Sequence, residues 1–311
     1  MPIEIFREGK AEGFTGPASL PQTNEQAKEW LQRNQTWWQE HPNRYDFDFK
    51  GDLGLEEFSP DFFKEIDKRF FDSVWQFMPW DHLPFDNLID YEGLKDKRVL
   101  EIGVGCGSNA QLLAQHAGEY TGIDLTDYAV KCTKERLRVF SLPGKILQMN
   151  AEQLLFEDNA FDLVWSWGVI HHTANTQNVL KEISRILVPG GNLAVMVYHY
   201  SPWNTYIRGA LYYGILRGQF FKTRSVNKII QDSTDGALAR YYTREEWNNL
   251  LLQDFDTEEI AVYGSKSQLI PLPMGRLKET LMGIIPNRIG RFITNRPFFG
   301  FLLVSSSTKK S

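Results

Sequence analysis

The stretch Val99-Leu100-Glu101-Ile102-Gly103-Val104-Gly105-Cys106-Gly107-Ser108 constrains this chain more than any other. A run of branched apolar residues ahead of alternating glycines reads as a buried parallel strand entering a tight turn, where missing Cβ atoms let a ligand approach the backbone. Ala110 to Ala117 then reads as a helix capped by Ser108 or Asn109, and Tyr120-Thr121-Gly122-Ile123-Asp124 as the next strand. Asp124, at its end, is placed to accept hydrogen bonds from the vicinal hydroxyls of a ribose. Strand, glycine turn, helix, strand and acid make half of a mononucleotide site. Ser108 stands where a dinucleotide fingerprint has its third glycine, and no Gly-Lys-Ser/Thr follows, so hydride transfer and triphosphate cradling both fit poorly.

A chain of 311 residues can bury a large core. Its 34 Lys and Arg against 39 Asp and Glu leave a net charge of −5, which offers no general field for a polyanion and disfavours nucleic acid as a partner. Two cysteines, Cys106 and Cys132, form neither a disulfide framework nor a metal spacing, and no cluster of His or carboxylates has ligand spacing, so no metal is expected. With no secretory signal pattern at the N-terminus and no membrane-length apolar run, a cytoplasmic setting is the expectation.

Around the glycine turn the chain divides by composition. Residues 1–22 read as an extended arm, and 23–92 as an aromatic-rich segment that includes Phe47, Phe49 and a helix near Pro60 to Phe77. Over 93–200, strands alternate with helices. A helix opens at Thr126 and runs to about Phe140, Lys145 to Met149 and Phe161 to Trp167 are strands, Val179 to Leu187 is a helix, and Asn192 to Tyr198 is a strand after Pro189-Gly190-Gly191. Such alternation implies a mostly parallel sheet with right-handed crossovers. Residues 201–240 form an insertion that carries five Lys and Arg between Ser201 and Gln231 and no acid there. The segment 241–263 returns to core helix and strand, with Thr243 and Glu246 as a capping box. A second basic insertion occupies 264–297, and 298–311 is the last strand and tail, the partner of Phe255 to Tyr263 in a closing antiparallel pair. The aromatic segment and both insertions are expected to cap the strand ends.

Val99 to Gly107 with Asp124 resembles motif I of the class I S-adenosylmethionine (SAM) dependent methyltransferases, the type 11 and ubiquinone-biosynthesis-like small-molecule enzymes in particular. Asn150-Ala151-Glu152, Phe161 to Ser166, Ile170-His171-His172 and Leu187 to Gly191 are similar to the family's later motifs and follow in its order. The resemblance implies an α/β Rossmann-like fold with a mostly parallel seven-stranded sheet, SAM as cofactor and S-adenosylhomocysteine as product. It implies Glu101 at the methionyl end, Gly103 and Gly105 under the cofactor, Asp124 and Leu125 at the ribose, Asn150, Ala151 and Glu152 at the adenine, and Ser166 and Trp167 facing sulfur. Asn150 departs from the family's usual Asp, and its side-chain carbonyl still accepts a hydrogen bond without the charge.

His171 and His172, just past the fourth strand, are candidate general bases, with His199 a further candidate, because a neutral imidazole can take a proton near working pH. Trp37, Trp38, Tyr200, Trp203, Arg240 and Tyr241 are candidate acceptor contacts. The expectation is methyl transfer to a hydroxyl or carboxylate oxygen of an apolar, aromatic or anionic small molecule. Transfer to nitrogen or carbon and a non-catalytic SAM-binding partner protein stand as alternatives, and the basic insertions suggest peripheral membrane contact.

Overall fold

The period-two apolar runs around the glycine turn form a single sheet. The computed structural model describes residues 20–45, 53–235, 237–270, 272 and 275–311; most of the expected N-terminal arm, with Phe47 and Phe49, lies outside them. The aromatic segment contributes helices α1 (Asn24–Glu40) and α2 (Pro60–Trp75). The core follows as β1 (Arg98–Ile102), α3 (Ser108–His116), β2 (Glu119–Asp124), α4 (Asp127–Val139), β3 (Lys145–Gln148), β4 (Phe161–Trp167), α5 (Thr176–Ile186) and β5 (Leu187–His199). The chain is completed by α6 (Val226–Thr234), β6 (Tyr241–Tyr242), α7 (Arg244–Leu251), β7 (Phe255–Tyr263), α8 (Arg276–Ile284), α9 (Asn287–Thr294) and β8 (Leu302–Lys309).

The sheet order is β3-β2-β1-β4-β5-β8-β7, and β8 runs antiparallel to both of its neighbours. This is the expected seven-stranded path, with the two-residue β6 added in parallel beside the end of β5. Side chains alternate across it. Val99 points into a cluster with Phe70, Leu113 and Val130, whereas Leu100 and Ile102 point into one with Val179, Ile183 and Trp247. Both faces are therefore covered, as a mostly parallel sheet requires.

Two local expectations need correction. The cap of α3 is Gly107, at φ 81° and ψ 18°, and neither Ser108 nor Asn109: the left-handed glycine turns the chain so sharply that Ser108 is already helical. α5 begins earlier than expected, because Asn175 caps it through the Asn178 N–H. The Thr243–Glu246 capping box is present as read.

Each insertion leaves the sheet at the carboxyl end of a strand, the first after β5 and the second after β7, where Tyr198 and Tyr263 both pair with Leu302. The first starts as a π-helix over Trp203–Leu216. Trp203 Nε1 donates to the Gln268 carbonyl at 2.7 Å, and Asn295 Nδ2 donates to the Phe77 carbonyl at 2.9 Å. The two insertions and the aromatic segment are thus tied to one another at one edge of the sheet. No helix among the described residues is long and apolar enough to cross a membrane.

Candidate cofactor and acceptor cleft

A cleft with about 1250 Å³ of empty space, its open mouth included, lies at the carboxyl ends of β1, β2 and β4. This is the edge where open α/β sheets bind ligands. Its floor is the glycine turn. Gly103 has φ +84° and a Cβ there would meet Val169 Cγ2 at 2.1 Å; Gly105 has φ +52° with nothing within 4 Å of its missing Cβ. Gly103 is therefore glycine for packing, and Gly105 leaves room above the backbone.

Arg136, fully buried on α4, holds the turn from below. Its Nε donates to the Cys106 carbonyl at 2.8 Å and its Nη1 reaches both oxygens of Asp67 on α2 at 2.8 Å. Asp124 closes one side: Oδ2 accepts the Gly105 N–H at 3.2 Å, and Oδ1 accepts the Thr126 N–H and hydroxyl, each at 2.9 Å. Burial pushes the Asp124 carboxyl up while these donors pull it back. Oδ1 is filled by its two donors, and Oδ2 keeps one acceptor site for a ribose hydroxyl.

At the N-terminus of α3, Asn109 Oδ1 is buried with no hydrogen-bond partner and its residue lines the cleft. A donor-bearing ligand is what such an acceptor lacks. Helix-start N–H groups, an unsatisfied amide oxygen, an open glycine face and a buried carboxylate fit a ligand with an amino-acid tail and a ribose, so the residues present fit SAM.

Of the expected cofactor contacts, Gly103, Gly105, Asp124, Leu125, Asn150, Ala151 and Trp167 come together on the cleft wall. Three others do not. Glu101 does not line the cleft: it is buried beside β2, where Tyr120 donates to its Oε2 at 2.6 Å and burial pushes its carboxyl up to about 8. Glu152 Oε1 accepts the Ala174 N–H at 2.7 Å, and Ser166 Oγ donates to the Ile102 carbonyl at 3.3 Å from a fully buried position. Neither side chain lines the cleft.

The candidate bases separate sharply. His171 is fully buried off the cleft, with both ring nitrogens unpartnered, and burial together with His172 and Arg240 holds it well below the usual histidine range, hence neutral. His199 Nδ1 donates to the Gly300 carbonyl at 2.7 Å and also lies off the cleft, so it fastens the start of β8. His172 alone of the three lines the cleft. Its Nδ1 lies 2.5 Å from the Leu238 carbonyl and must be the donor there, which leaves Nε2 with its lone pair, 3.6 Å from Asp235 Oδ2. Burial lowers its pKa against the opposing pull of Asp235 and Leu238.

Among the expected acceptor contacts, only Trp38 reaches the cleft, edge-on to His172 at 5.1 Å between ring centroids. Trp37 stacks on His41 instead, at 4.1 Å. Tyr200 donates to Tyr206, Tyr241 stacks on Tyr198, and Trp203 packs on Phe299. Arg240 is spent on the Thr173 and Ala174 carbonyls. Among the described residues, none of either insertion lines the cleft. The cover comes from α1 and the chain after it, through Leu31, Asn34, Trp38, Asn43 and Tyr45, with Phe70 of α2. Asn34 carried no local signal: it matters because its amide bridges the His172 carbonyl and the Leu238 N–H.

The strand order, the glycine turn after β1 and the acid closing β2 are those of a class I methyltransferase fold. Residues 100–195 match the family described as "Methyltransferase domain". Over 104 residues the chain is 36% identical to the phthiotriol/phenolphthiotriol dimycocerosates methyltransferase of Mycobacterium leprae (strain TN), covering 32% of this chain and 37% of that one. Over 190 residues it is 25% identical to the glycine/sarcosine/dimethylglycine N-methyltransferase of Actinopolyspora halophila, covering 60% of this chain and 30% of that one. The chain spans about a third of the length of these curated relatives. The methyltransferase in complex with the Haloferax volcanii Trm112 methyltransferase activator shares the fold, with a TM-score of 0.52, 17% identity and coverage of 79% of this chain and 94% of that one.

Proposed function

We propose that this chain transfers a methyl group from SAM to an oxygen of a small, apolar or aromatic molecule. The observation that carries the reading is the mixed lining of one cleft: Gly105, Asn109 and Asp124 offer backbone and polar atoms, and Trp38, Tyr45, Phe70 and Trp167 offer aromatic rings. Bound SAM supplies a methyl group already activated on a sulfonium, so the protein's work is to align the acceptor and exclude water. Trp167, stacked on Trp165 with ring planes 7° apart and packed against Phe85, gives a rigid surface for that alignment. Trp38 and Tyr45 shield the acceptor from the solvent side. His172, which lines the cleft with its Nε2 buried 3.6 Å from Asp235 Oδ2, is the candidate to take a proton released by a hydroxyl, with Asp235 stabilising the charged ring. A carboxylate acceptor would need no base.

Two relatives point to different acceptors, since one is named for dimycocerosates and the other for amines. Oxygen is favoured by the lining, where among the described residues Asp124 is the one carboxylate and is already engaged by three donors. Two buried free cysteines fit the reducing, cytoplasmic setting, and the basic insertions suit contact with a membrane surface.

Titration calorimetry with S-adenosylhomocysteine tests the cofactor half. Wild type is expected to bind, and Asp124→Ala to bind ten- to a hundredfold more weakly, about 1.4–2.8 kcal/mol. Turnover of radiolabelled SAM across alcohol, carboxylic acid and amine panels then tests the acceptor, and activity confined to amines would replace oxygen by nitrogen. Absence of binding by wild type would remove the whole reading.

A further inference from the structure

Helices α8 and α9 turn the wrong side chains outward for helices that merely complete a core. On α8, Leu277, Leu281 and Ile284 fall at i, i+4 and i+7 and make one stripe, yet Leu277 is 67% and Ile284 71% exposed. On α9, Gly290 and Thr294 form the inner face. A Cβ at Gly290 would stand 3.0 Å from Lys266 Cβ, and Thr294 Oγ1 donates to the Gly264 carbonyl. Ile289 and Phe292 are left outside, 53% and 69% exposed.

These apolar side chains stand among cations. Residues 264–297 hold Lys266, Arg276, Lys278, Arg288, Arg291 and Arg296 against the single acid Glu279, on a chain whose net charge is −5. Arg296 sits 5.1 Å over the Phe292 ring, so charge and ring are offered together. A helix face that mixes arginine with Phe, Leu and Ile and is not buried by its own protein has the make-up of an interfacial membrane element.

We propose that the α8–α9 face docks this chain on an anionic phospholipid bilayer. Leu277, Ile284, Ile289 and Phe292 enter the interface, while Arg276, Arg288 and Arg296 meet headgroup phosphates. A second copy fits the face poorly, because a two-fold contact would set these arginines against their own copies. An acidic protein would answer the charges and leave the apolar side chains without a receiver.

Position adds a consequence. The insertion is rooted at Gly264 and Gly300, beside the carboxyl end of β7, and so on the same sheet edge as the glycine turn and Asp124. Docking brings that edge to the bilayer, and the acceptor class becomes a membrane-resident amphiphile whose apolar part lies along Trp38 and Phe70. Only this last step rests on the methyltransferase reading.

The test is co-sedimentation of the full chain with vesicles of phosphatidylcholine alone and of phosphatidylcholine mixed with phosphatidylglycerol, at low and raised salt. Binding is expected to the anionic vesicles only, and to weaken as salt rises. Ile289→Ser with Phe292→Ser is expected to lower partitioning on the order of tenfold. Arg288→Gln and Arg296→Gln are each expected to lower it about fivefold. Phe221→Ser, off this face, serves as the control that should change nothing. All variants are expected to bind S-adenosylhomocysteine as wild type does, which verifies their fold. No vesicle binding, equal binding to neutral vesicles, or binding that the four substitutions leave unchanged overturns the proposal. A dimer in sedimentation velocity that the Ile289/Phe292 variant dissolves, without vesicle binding, gives the face to a second copy and overturns it too. Absence of vesicle binding by a wild-type protein that does bind S-adenosylhomocysteine sinks the docking alone. Vesicle binding by a protein that does not bind S-adenosylhomocysteine supports the docking and sinks the methyltransferase reading.

Discussion

The Rossmann-like core and the two insertions bury the same residue types to different extents: the first insertion buries Ile229, Ile230 and Leu238, yet both insertions leave large apolar side chains outside. Over 93–200, Leu, Ile, Val and Trp lie in two layers against the sheet, with Leu100, Val164, Ile183 and Leu187 fully buried. In the insertions, Phe221 is 97% exposed and Leu216 69%. A burial rule derived from the core would misread the insertions, because a helix without a second layer above it keeps an apolar side chain inside only if a neighbour reaches it.

Breaking the core side of that contrast should have the largest effect. Arg136→Met would strand the Asp67 carboxylate and leave the Cys106 carbonyl under the glycine turn without its donor. The expected cost is about 3 kcal/mol in urea-unfolding free energy, with a parallel loss of S-adenosylhomocysteine affinity. A variant of unchanged stability would mean that α2 and α4 are held by packing alone.

Glu101 gives the next effect and a sign that can be checked. Its folded pKa of about 8 lies above the ordinary carboxylate value of 4.5. The folded state therefore keeps a proton that the unfolded state gives up, so the contribution is whole below the unfolded value and is lost as pH rises toward the folded one. Glu101→Gln should remove that loss, flattening thermal stability between about pH 5 and about pH 8 and gaining on the order of 2 kcal/mol at the upper end. A variant that is instead less stable at high pH, with weaker S-adenosylhomocysteine binding, would return Glu101 to the methionyl amino group as an ionised partner.

The insertion side should respond least. Phe221→Ser is expected to change unfolding free energy by no more than about 0.5 kcal/mol, since a side chain already in water loses no burial. A larger loss would show that the first insertion has a packing partner after all.

Much of this protein was determined by sequence alone because the signals are short-range. β1, the glycine turn and Asp124 span 27 residues, Arg98 to Asp124, and strand alternation with glycine spacing decides them locally. β4 at Phe161–Trp167, β7 at Phe255–Tyr263 and the Thr243 cap follow from the same kind of pattern. Tertiary structure decided which of the marked side chains share a space. Glu101 was assigned to the cofactor by its place in the motif, and the Tyr120 hydroxyl from the neighbouring strand holds it in the core off the cleft lining. His171 and His172 are adjacent in sequence, yet only one lines the cleft, because Leu238 and Asn34, 66 and 138 residues away, fix that turn. The aromatic cover likewise came from α1 and its following loop, where the sequence pattern had favoured the insertions as well. Spacing sets local backbone and the face a residue occupies; which faces meet is set by packing between elements far apart in the chain, and no local pattern encodes it.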